Sequence, residues 1–182
     1  TCFEELPVYQ ALDYDFDLSS SIITTAEHDG EIVGFCSSLE LHDEDCRSFL
    51  HMGLTCVHSD YRGKRLTHLL ASKLTIMYLL KTNPLGKVRF TNVACVLSSL
   101  GNIAKNLENV FPSPWVDKPD KEALKMAKAI NEKYRSWIHI PYESDFSYDS
   151  FVYRQSALDM FHKPAADTRY HHREQEYNNY YK

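Results

Sequence analysis

Hydrophobic and polar positions divide the chain into short periodic segments. Residues 21–27 form a β-rich run, His28-Asp29-Gly30 supplies turn chemistry, and residues 31–41 alternate through Ile32, Val33, Phe35 and Leu39. Side chains of a strand point alternately to its two faces, and Asp-Gly tolerates the positive φ of a tight turn, so the pattern predicts a β-hairpin. After the acidic stretch 42–45, residues 49–57 are apolar nearly throughout, as in a strand buried on both faces and central in its sheet. Leu66, Leu69, Leu70, Leu74, Met77 and Leu80 recur at helical spacing until Asn83-Pro84-Leu85-Gly86 ends the run. Residues 88–97 are again strand-like through Val88, Phe90, Val93 and Val96, and Ser98-Ser99 lead into a short helix ending near Phe111. The middle of the chain therefore reads β-β-β-α-β-α.

Beyond the break Pro112-Ser113-Pro114-Trp115, Pro119 suits a first helical turn. Leu124, Ala127, Ile130, Tyr134 and Trp137 then follow at helical spacing, which predicts a second long helix, with Trp115 and Trp137 as core anchors. Residues 147–156 supply one more strand candidate, and the segment after Lys163 is polar, rich in tyrosine and without a clear period.

The 182 residues favour one domain, 1–182, with 167–182 as a polar tyrosine-rich tail. With 43% hydrophobic and 25% charged residues, the composition excludes wholesale disorder, and no apolar run approaches the roughly 20 residues of a membrane span. A net charge of −5 repels polyanions, so neither a nucleic acid nor a membrane is expected as partner, and any anion site must be local. Cys2, Cys36, Cys46, Cys56 and Cys95 are odd in number, lack CxxC spacing and mostly sit in apolar segments, which fits reduced thiols in a cytoplasmic compartment. The chain starts at Thr1 without a charged and apolar leader, and the expectation is a processed or excerpted chain without a secretion signal. A homodimer is left open.

The chemistry concentrates in residues 54–70, a buried strand, a basic loop and a helix. The first turn of a helix presents unpaired N–H groups and the positive end of its dipole, and Arg62, Lys64 and Arg65 add charge beside Gly63. In an acidic chain that combination fits a diphosphate and hence a phosphorylated cofactor. Taken alone, the same residues also describe a solvated basic turn.

This segment resembles motif A of the GNAT superfamily, the acyl-CoA-dependent N-acyltransferases, in which a strand precedes Q/R-x-x-G-x-G/A and a leucine-rich helix. Arg62 matches the first position, whereas Arg65 and Thr67 stand where the family usually has Gly and Gly or Ala. The resemblance implies an α/β (α+β) fold, a mixed central β-sheet flanked by helices, here with an extra helix near 119–137. It implies acetyl-CoA or another acyl-CoA as co-substrate and no metal. The backbone of Thr55, Cys56 and Val57 would bond the pantetheine, and Arg62, Gly63, Lys64, Arg65, Leu66 and Thr67 would hold the diphosphate. A second family signature, Asn then Tyr then Gly-Phe, aligns with Ser99, Asn106, Val110 and Phe111, of which only Phe111 matches, and Asn102 is a further candidate cofactor contact. Asn106 lacks a proton of suitable pKa, so the general acid is unassigned. The family also places a strand and two helices ahead of its hairpin, whereas only twenty residues precede Ser21, and the expectation is that those elements are either much shortened or lie upstream of Thr1.

The resemblance further implies an amine-facing base more than a nucleophile. His51, six residues before Val57 where some lysine-acetylating members carry Glu, is the leading candidate, and the alternative is a buried core histidine. Glu40, with Asp43, is a second choice. Cys56 in Leu-Thr-Cys-Val reads as a packed thiol rather than an acyl carrier. His171-His172 with His162 lacks ligand-like spacing, so no metal is expected. The activity implied is acetyl transfer to an amine, small molecule or protein. Two alternatives stand beside it: long-chain transfer, because Cys56-Val57-His58 and Lys64-Arg65-Leu66 are similar to the acyl-CoA loop of N-myristoyltransferases, and a non-catalytic acyl-CoA binder.

Overall fold

In a computed structural model, which describes residues 9–13, 15, 17–155, 163, 164 and 166–182, the chain divides into two compact units, Thr1–Val93 and Ala94–Lys182. The first unit holds a four-stranded mixed sheet in the order β1-β2-β3-β4: β1 Ser21–His28, β2 Glu31–His42, β3 Ser48–Val57 and β4 Phe90–Asn92. The first three strands are antiparallel neighbours and β4 runs parallel to β3. Asp29 and Gly30, at φ 52° and 82°, close the β1–β2 hairpin with the left-handed pair of a type I′ turn.

One helix, α1 Leu66–Thr82, covers one face of this sheet. Leu70, Leu74 and Tyr78, four residues apart, pack on Ile22, Cys36, Leu50 and Val57. Gly34 makes the close approach possible, because a Cβ there would meet the Cys56 carbonyl oxygen at 3.1 Å and Leu70 Cδ1 at 3.4 Å. Thr24 Oγ1 donates to the Leu70 carbonyl at 3.1 Å, and Tyr78 Oη donates to Ser48 Oγ at 2.8 Å. The buried stripe is narrower than the leucine pattern predicts. Leu69 and Leu80 lie about a quarter-turn round and are 62% and 69% exposed. Tyr78, not part of the leucine pattern, takes the buried position instead.

The acidic turn between β2 and β3 is organised by Asp43, whose carboxylate is buried. It accepts from the backbone N–H of Asp45 and Arg47, and Arg89 Nη1 donates to its Oδ2 at 2.9 Å. Arg89 Nη2 also reaches the Ser48 carbonyl at 2.7 Å, which fixes the start of β4 against β3. Asp43 is thus committed to the turn and is not a free base.

From β4 onward the chain departs further from expectation. Residues 88–97 form only the three-residue β4 before helix α2, Leu97–Asn106, begins. The long helix keeps α geometry only over α3, Lys121–Ala129, capped by Asp120, which accepts from Ala123 N–H at 2.7 Å. It then widens into one π turn, Ile130–Tyr134. There Asn131 Nδ2 donates to the Ala127 carbonyl while its Oδ1 receives Arg135, and Arg135 Nη1 spans the carbonyls of Pro141, Tyr142 and Ser144. These side-chain bonds compete with the regular ladder and open the turn. Trp115 and Trp137 are 62% and 38% exposed, so neither is the core anchor that the spacing suggests. Strands β5, Asp145–Ser147, and β6, Val152–Arg154, form a short hairpin where one strand was expected, while residue 156 lies outside the described residues.

The tyrosine-rich tail ends in helix α4, Gln175–Tyr181, with Tyr177 and Asn178 buried. Asn178 accepts from His172 N–H at 2.7 Å and donates to its carbonyl at 2.8 Å. His172 sits against Gly101 of α2, Lys105 pairs with Glu174, and Tyr181 Oη donates to the Pro112 carbonyl at 2.7 Å. Among the described residues, no helix is long and apolar enough to cross a membrane.

Candidate acyl-CoA and amine site

The parallel β3–β4 ladder contains three pairs, Leu50–Phe90, His51–Thr91 and Met52–Asn92, and there it stops, although β3 runs on to Val57. Asn92 Nδ2 closes the end of the ladder by donating to the Met52 carbonyl at 3.3 Å. Residues 53–57 of β3 therefore lie outside any pairing with β4. A β2–β3 irregularity between Cys36 and Ser38 falls opposite this point, and Ser37 Oγ fills it by bonding both the N–H and the carbonyl of Leu54.

Register decides which backbone groups of β3 face outward. His58 N–H donates to the Val33 carbonyl at 2.9 Å, so the alternation of antiparallel pairs turns the backbone of Cys56 toward Phe35 and that of Thr55 and Val57 to the other edge. Of the three residues expected to bond a pantetheine arm, two have the right backbone orientation. Cys56 is turned inward by the pleat. Thr55 Oγ1 is spent on Cys36 Sγ, 3.1 Å away.

The loop after β3 passes through a 3-10 turn, Ser59–Tyr61, and enters α1 at Arg65. Gly63 and Arg65 have φ of 78° and 61°, whereas Lys64 between them does not have positive φ. Backbone of alternating hand curls successive N–H groups into a concave anion-binding nest, here set on the N-terminus of a 17-residue helix. Arg62 Nε donates to the Val57 carbonyl at 3.3 Å, and Lys64 Nζ lies 4.6 Å over the Tyr61 ring. Arg65 provides no side-chain cap, and Arg62, Lys64, Arg65 and Thr67 are exposed while Leu66 is half-buried. The residues fit a diphosphate through backbone donors first and side-chain charge second.

His51 and Glu40 do not come together. Leu50 lies in the core under α1, so His51, the next residue, faces the opposite side, beside Leu39, its partner on β2. Glu40 pairs with Leu50 and therefore lies on the α1 face, where Lys81 Nζ reaches its Oε2 at 2.6 Å. An acidic group held in that ion pair, across the sheet from His51, is not the amine-facing base that the sequence suggests. His51 is fully buried. Its Nδ1 is 2.9 Å from Thr91 Oγ1, and its Nε2 has no hydrogen-bond partner among the described residues. Burial pushes the imidazole down to about 4, so the ring is neutral at pH 7 and is a hydrogen-bonding group more than a proton store.

Two polar residues at the ladder's end, Thr91 and Asn92, escaped the sequence reading. The signal was a Thr-Asn pair interrupting an otherwise apolar strand. Asn102 is exposed on α2 and its carbonyl receives Asn106 Nδ2 at 2.7 Å, which binds the Asn106 side chain to its own helix. Burial raises the Cys36 thiol, and Cys36, Cys46, Cys56 and Cys95 are all unbridged. Cys46 and Cys95 are exposed rather than packed in apolar surroundings, and Cys2 lies outside the described residues. Among the described residues no three His, Cys, Asp or Glu gather as metal ligands, and His162 lies outside them.

Residues 2–83, just under half of the chain, match the sequence model of the acetyltransferase (GNAT) family. No curated protein matches the chain. Among solved structures it is similar to an aminoglycoside acetyltransferase from an uncultured soil metagenomic sample, at 24% identity over 46% of this chain and 50% of that one, with a TM-score of 0.36. An acetyltransferase of Trypanosoma brucei gives 20% identity over 54% and 70%, with a TM-score of 0.43. A ribosomal-protein-alanine N-acetyltransferase of Brucella melitensis biovar Abortus 2308 gives 16% over 58% and 78%, also at 0.43. The alignment with the first of these spans half of that protein's length.

Proposed function

We propose that the chain transfers an acetyl group from acetyl-CoA to a primary amine by direct attack in a ternary complex. The observation that carries this reading is the β3–β4 ladder ending at Met52–Asn92, followed by β3's open stretch and the Gly63–Arg65 nest at the head of α1. Pantetheine is an amide-bearing chain that can extend a sheet edge, and the outward backbone of Thr55 offers that edge, next to the Val57 carbonyl that Arg62 Nε already reaches. The nest N–H groups with Arg62, Lys64 and Arg65 would hold the diphosphate.

At the ladder's end the amine meets the thioester. As the C–N bond forms, the C–S bond breaks, and the one proton that the neutral amine loses passes to the departing thiolate, directly or through water. His51 Nε2 accepts a hydrogen bond from the neutral amine and aims its lone pair, while outward N–H groups of β3 polarise the thioester carbonyl. The acceptor is a primary amine of a small molecule or of a protein, either lysine or N-terminus.

A second reading, an acyl-CoA binder without turnover, is favoured by Asn106, which stands at the family's proton-donating Tyr and is bonded to its own helix. Thermal unfolding with CoA, acetyl-CoA, a long-chain acyl-CoA and NAD tests the shared part. A ligand at 100 times its Kd adds about 2.7 kcal/mol, so CoA species alone should raise Tm. Preference within the panel separates acetyl from long-chain transfer, and amide formation on an amine panel separates enzyme from binder. No shift with any CoA species overturns both readings.

A further inference from the structure

We infer that Thr91 is a positioning residue that holds His51 in the Nδ1–H tautomer and so presents a bare Nε2 lone pair to the acceptor amine, an inference that rests on the acetyl-transfer reading. His51 and Thr91 are directly paired on the β3–β4 ladder, one step before it ends. Their side chains meet at 2.9 Å, between Nδ1 and Oγ1. The rest of the ring is sealed: His51 is fully buried and Nε2 finds no partner among the described residues.

A neutral imidazole carries one N–H and one lone pair, and the bond at one nitrogen fixes what the other offers. A threonine hydroxyl can either accept from Nδ1–H or donate to a bare Nδ1, so geometry alone allows two tautomers. The unpartnered Nε2 chooses between them. An orphaned buried N–H is rarer and costlier than an unfilled acceptor, so the proton belongs on Nδ1, where Thr91 Oγ1 accepts it. The lone pair on Nε2 is then the unfilled hydrogen-bonding position of the buried ring, one residue before the β3–β4 ladder ends, and it favours a group that still carries N–H, such as a primary amine.

Without the hydroxyl, nothing at Nδ1 distinguishes the ring from its 180° flip, because the two orientations differ only in where the nitrogens point. Thr91→Val preserves shape and β-branching while removing the anchor, and Thr91→Ser restores it. The test is a long-range nitrogen–proton NMR correlation of the histidine rings in the full chain at pH 7, with His51 assigned through His51→Gln. Wild type and Thr91→Ser should show the Nδ1–H tautomer for His51, and Thr91→Val should show the Nε2–H form or an exchanging mixture. In parallel, Thr91→Val should lower kcat for amine acetylation by about 100-fold with KM for acetyl-CoA nearly unchanged, and Thr91→Ser should recover it.

An Nε2–H tautomer in the wild type, or a His51 signal unchanged by Thr91→Val, overturns the inference. So does an equal loss of kcat in the Ser and Val variants. If Thr91→Val does not fold, the wild-type and Ser tautomers still decide. If the wild type acetylates no amine while its tautomer is as stated, the acetyl-transfer reading fails and the role of Thr91 in fixing the ring stands by itself.

Discussion

Glu40 Oε2 and Lys81 Nζ lie 2.6 Å apart, joining β2 to the last turn of α1 on the face of the sheet opposite His51. The Lys81 side chain is 59% exposed and that of Glu40 13%, so the pair is a partly screened surface ion pair that helps to seat the helix. Glu40→Gln should therefore cost about 0.5 kcal/mol in denaturant unfolding and leave amine acetylation within about twofold of wild type. A loss of activity much greater than that, at unchanged stability, would return Glu40 to the chemistry.

The diphosphate assignment makes a separate demand on the loop. Replacing Arg62 and Lys64 together by Ala should weaken CoA binding by about 1 to 3 kcal/mol for each charged bond lost, as titration calorimetry would register. Arg62 also ties the loop to the Val57 carbonyl, so the single variant Lys64→Ala, whose amine rests only over the Tyr61 ring, is the cleaner comparison. Unchanged affinity in both would move the diphosphate away from this loop.

Arg65 holds φ at 61° where related loops have glycine, a conformation costing an L-residue about 1 to 2 kcal/mol. Arg65→Gly should relieve that strain. After the extra entropy of a glycine in the unfolded chain, a net gain of about 0.5 to 1 kcal/mol should remain, visible as a higher denaturant midpoint. Gly63→Ala should act in the opposite sense. At φ 78°, with nothing within 4 Å of an added Cβ, its cost of about 1 kcal/mol is backbone strain alone. If the first exchange destabilises instead, the Arg65 side chain makes a contact worth more than the strain.

What the sequence discloses here is local. Asp29-Gly30 sets its own hairpin, the leucines from Leu66 set their own helix, and Arg62 to Thr67 lie between a strand and a helix on chemistry that needs no distant partner. What it withholds depends on pairing between remote segments. The separation of His51 from Glu40 follows from the partners Leu39–His51 and Glu40–Leu50, and the inward turn of Cys56 follows from the register past Ser38. Neither is periodic in the chain. The docked tail was hidden for another reason: Tyr177 and Asn178 bury through hydrogen bonds and aromatic area, and a hydropathy pattern reads both as surface.

That tail has a sensitive contact. A Cβ on Gly101 would meet His172 Cγ at 2.8 Å and Cδ2 at 2.9 Å, closer than side-chain carbons pack. In an isolated helix Gly→Ala gains about 1 kcal/mol, yet Gly101→Ala should be destabilising here, by about 1 to 3 kcal/mol, because α4 must shift. In the double variant with His172→Ala the two ring contacts disappear and only the Cβ contact at 3.0 Å remains, so part of the helical gain should return. A double-mutant cycle by chemical denaturation measures the coupling, and additive effects would show that α4 does not rest on Gly101.

The buried imidazole also sets how stability depends on pH. His51 titrates near 4 in the folded chain and near 6.5 when unfolded, so between those values the unfolded state binds the extra proton. Stability is then full above about 6.5, falls as pH drops toward 4, and loses no more from this group below that. Asp43 acts in a different window. Burial raises its pKa, but Arg89 and the backbone donors of Arg47 and Asp45 bring it below the usual carboxylate value, so its contribution is lost only below about 4. Denaturant unfolding of the wild type and His51→Gln at pH 7, 6, 5 and 4 separates the two. The wild type should lose about 3 kcal/mol relative to the variant over that range. Parallel curves would mean that the ring takes up its proton at the same pH folded and unfolded, and that burial does not hold it neutral.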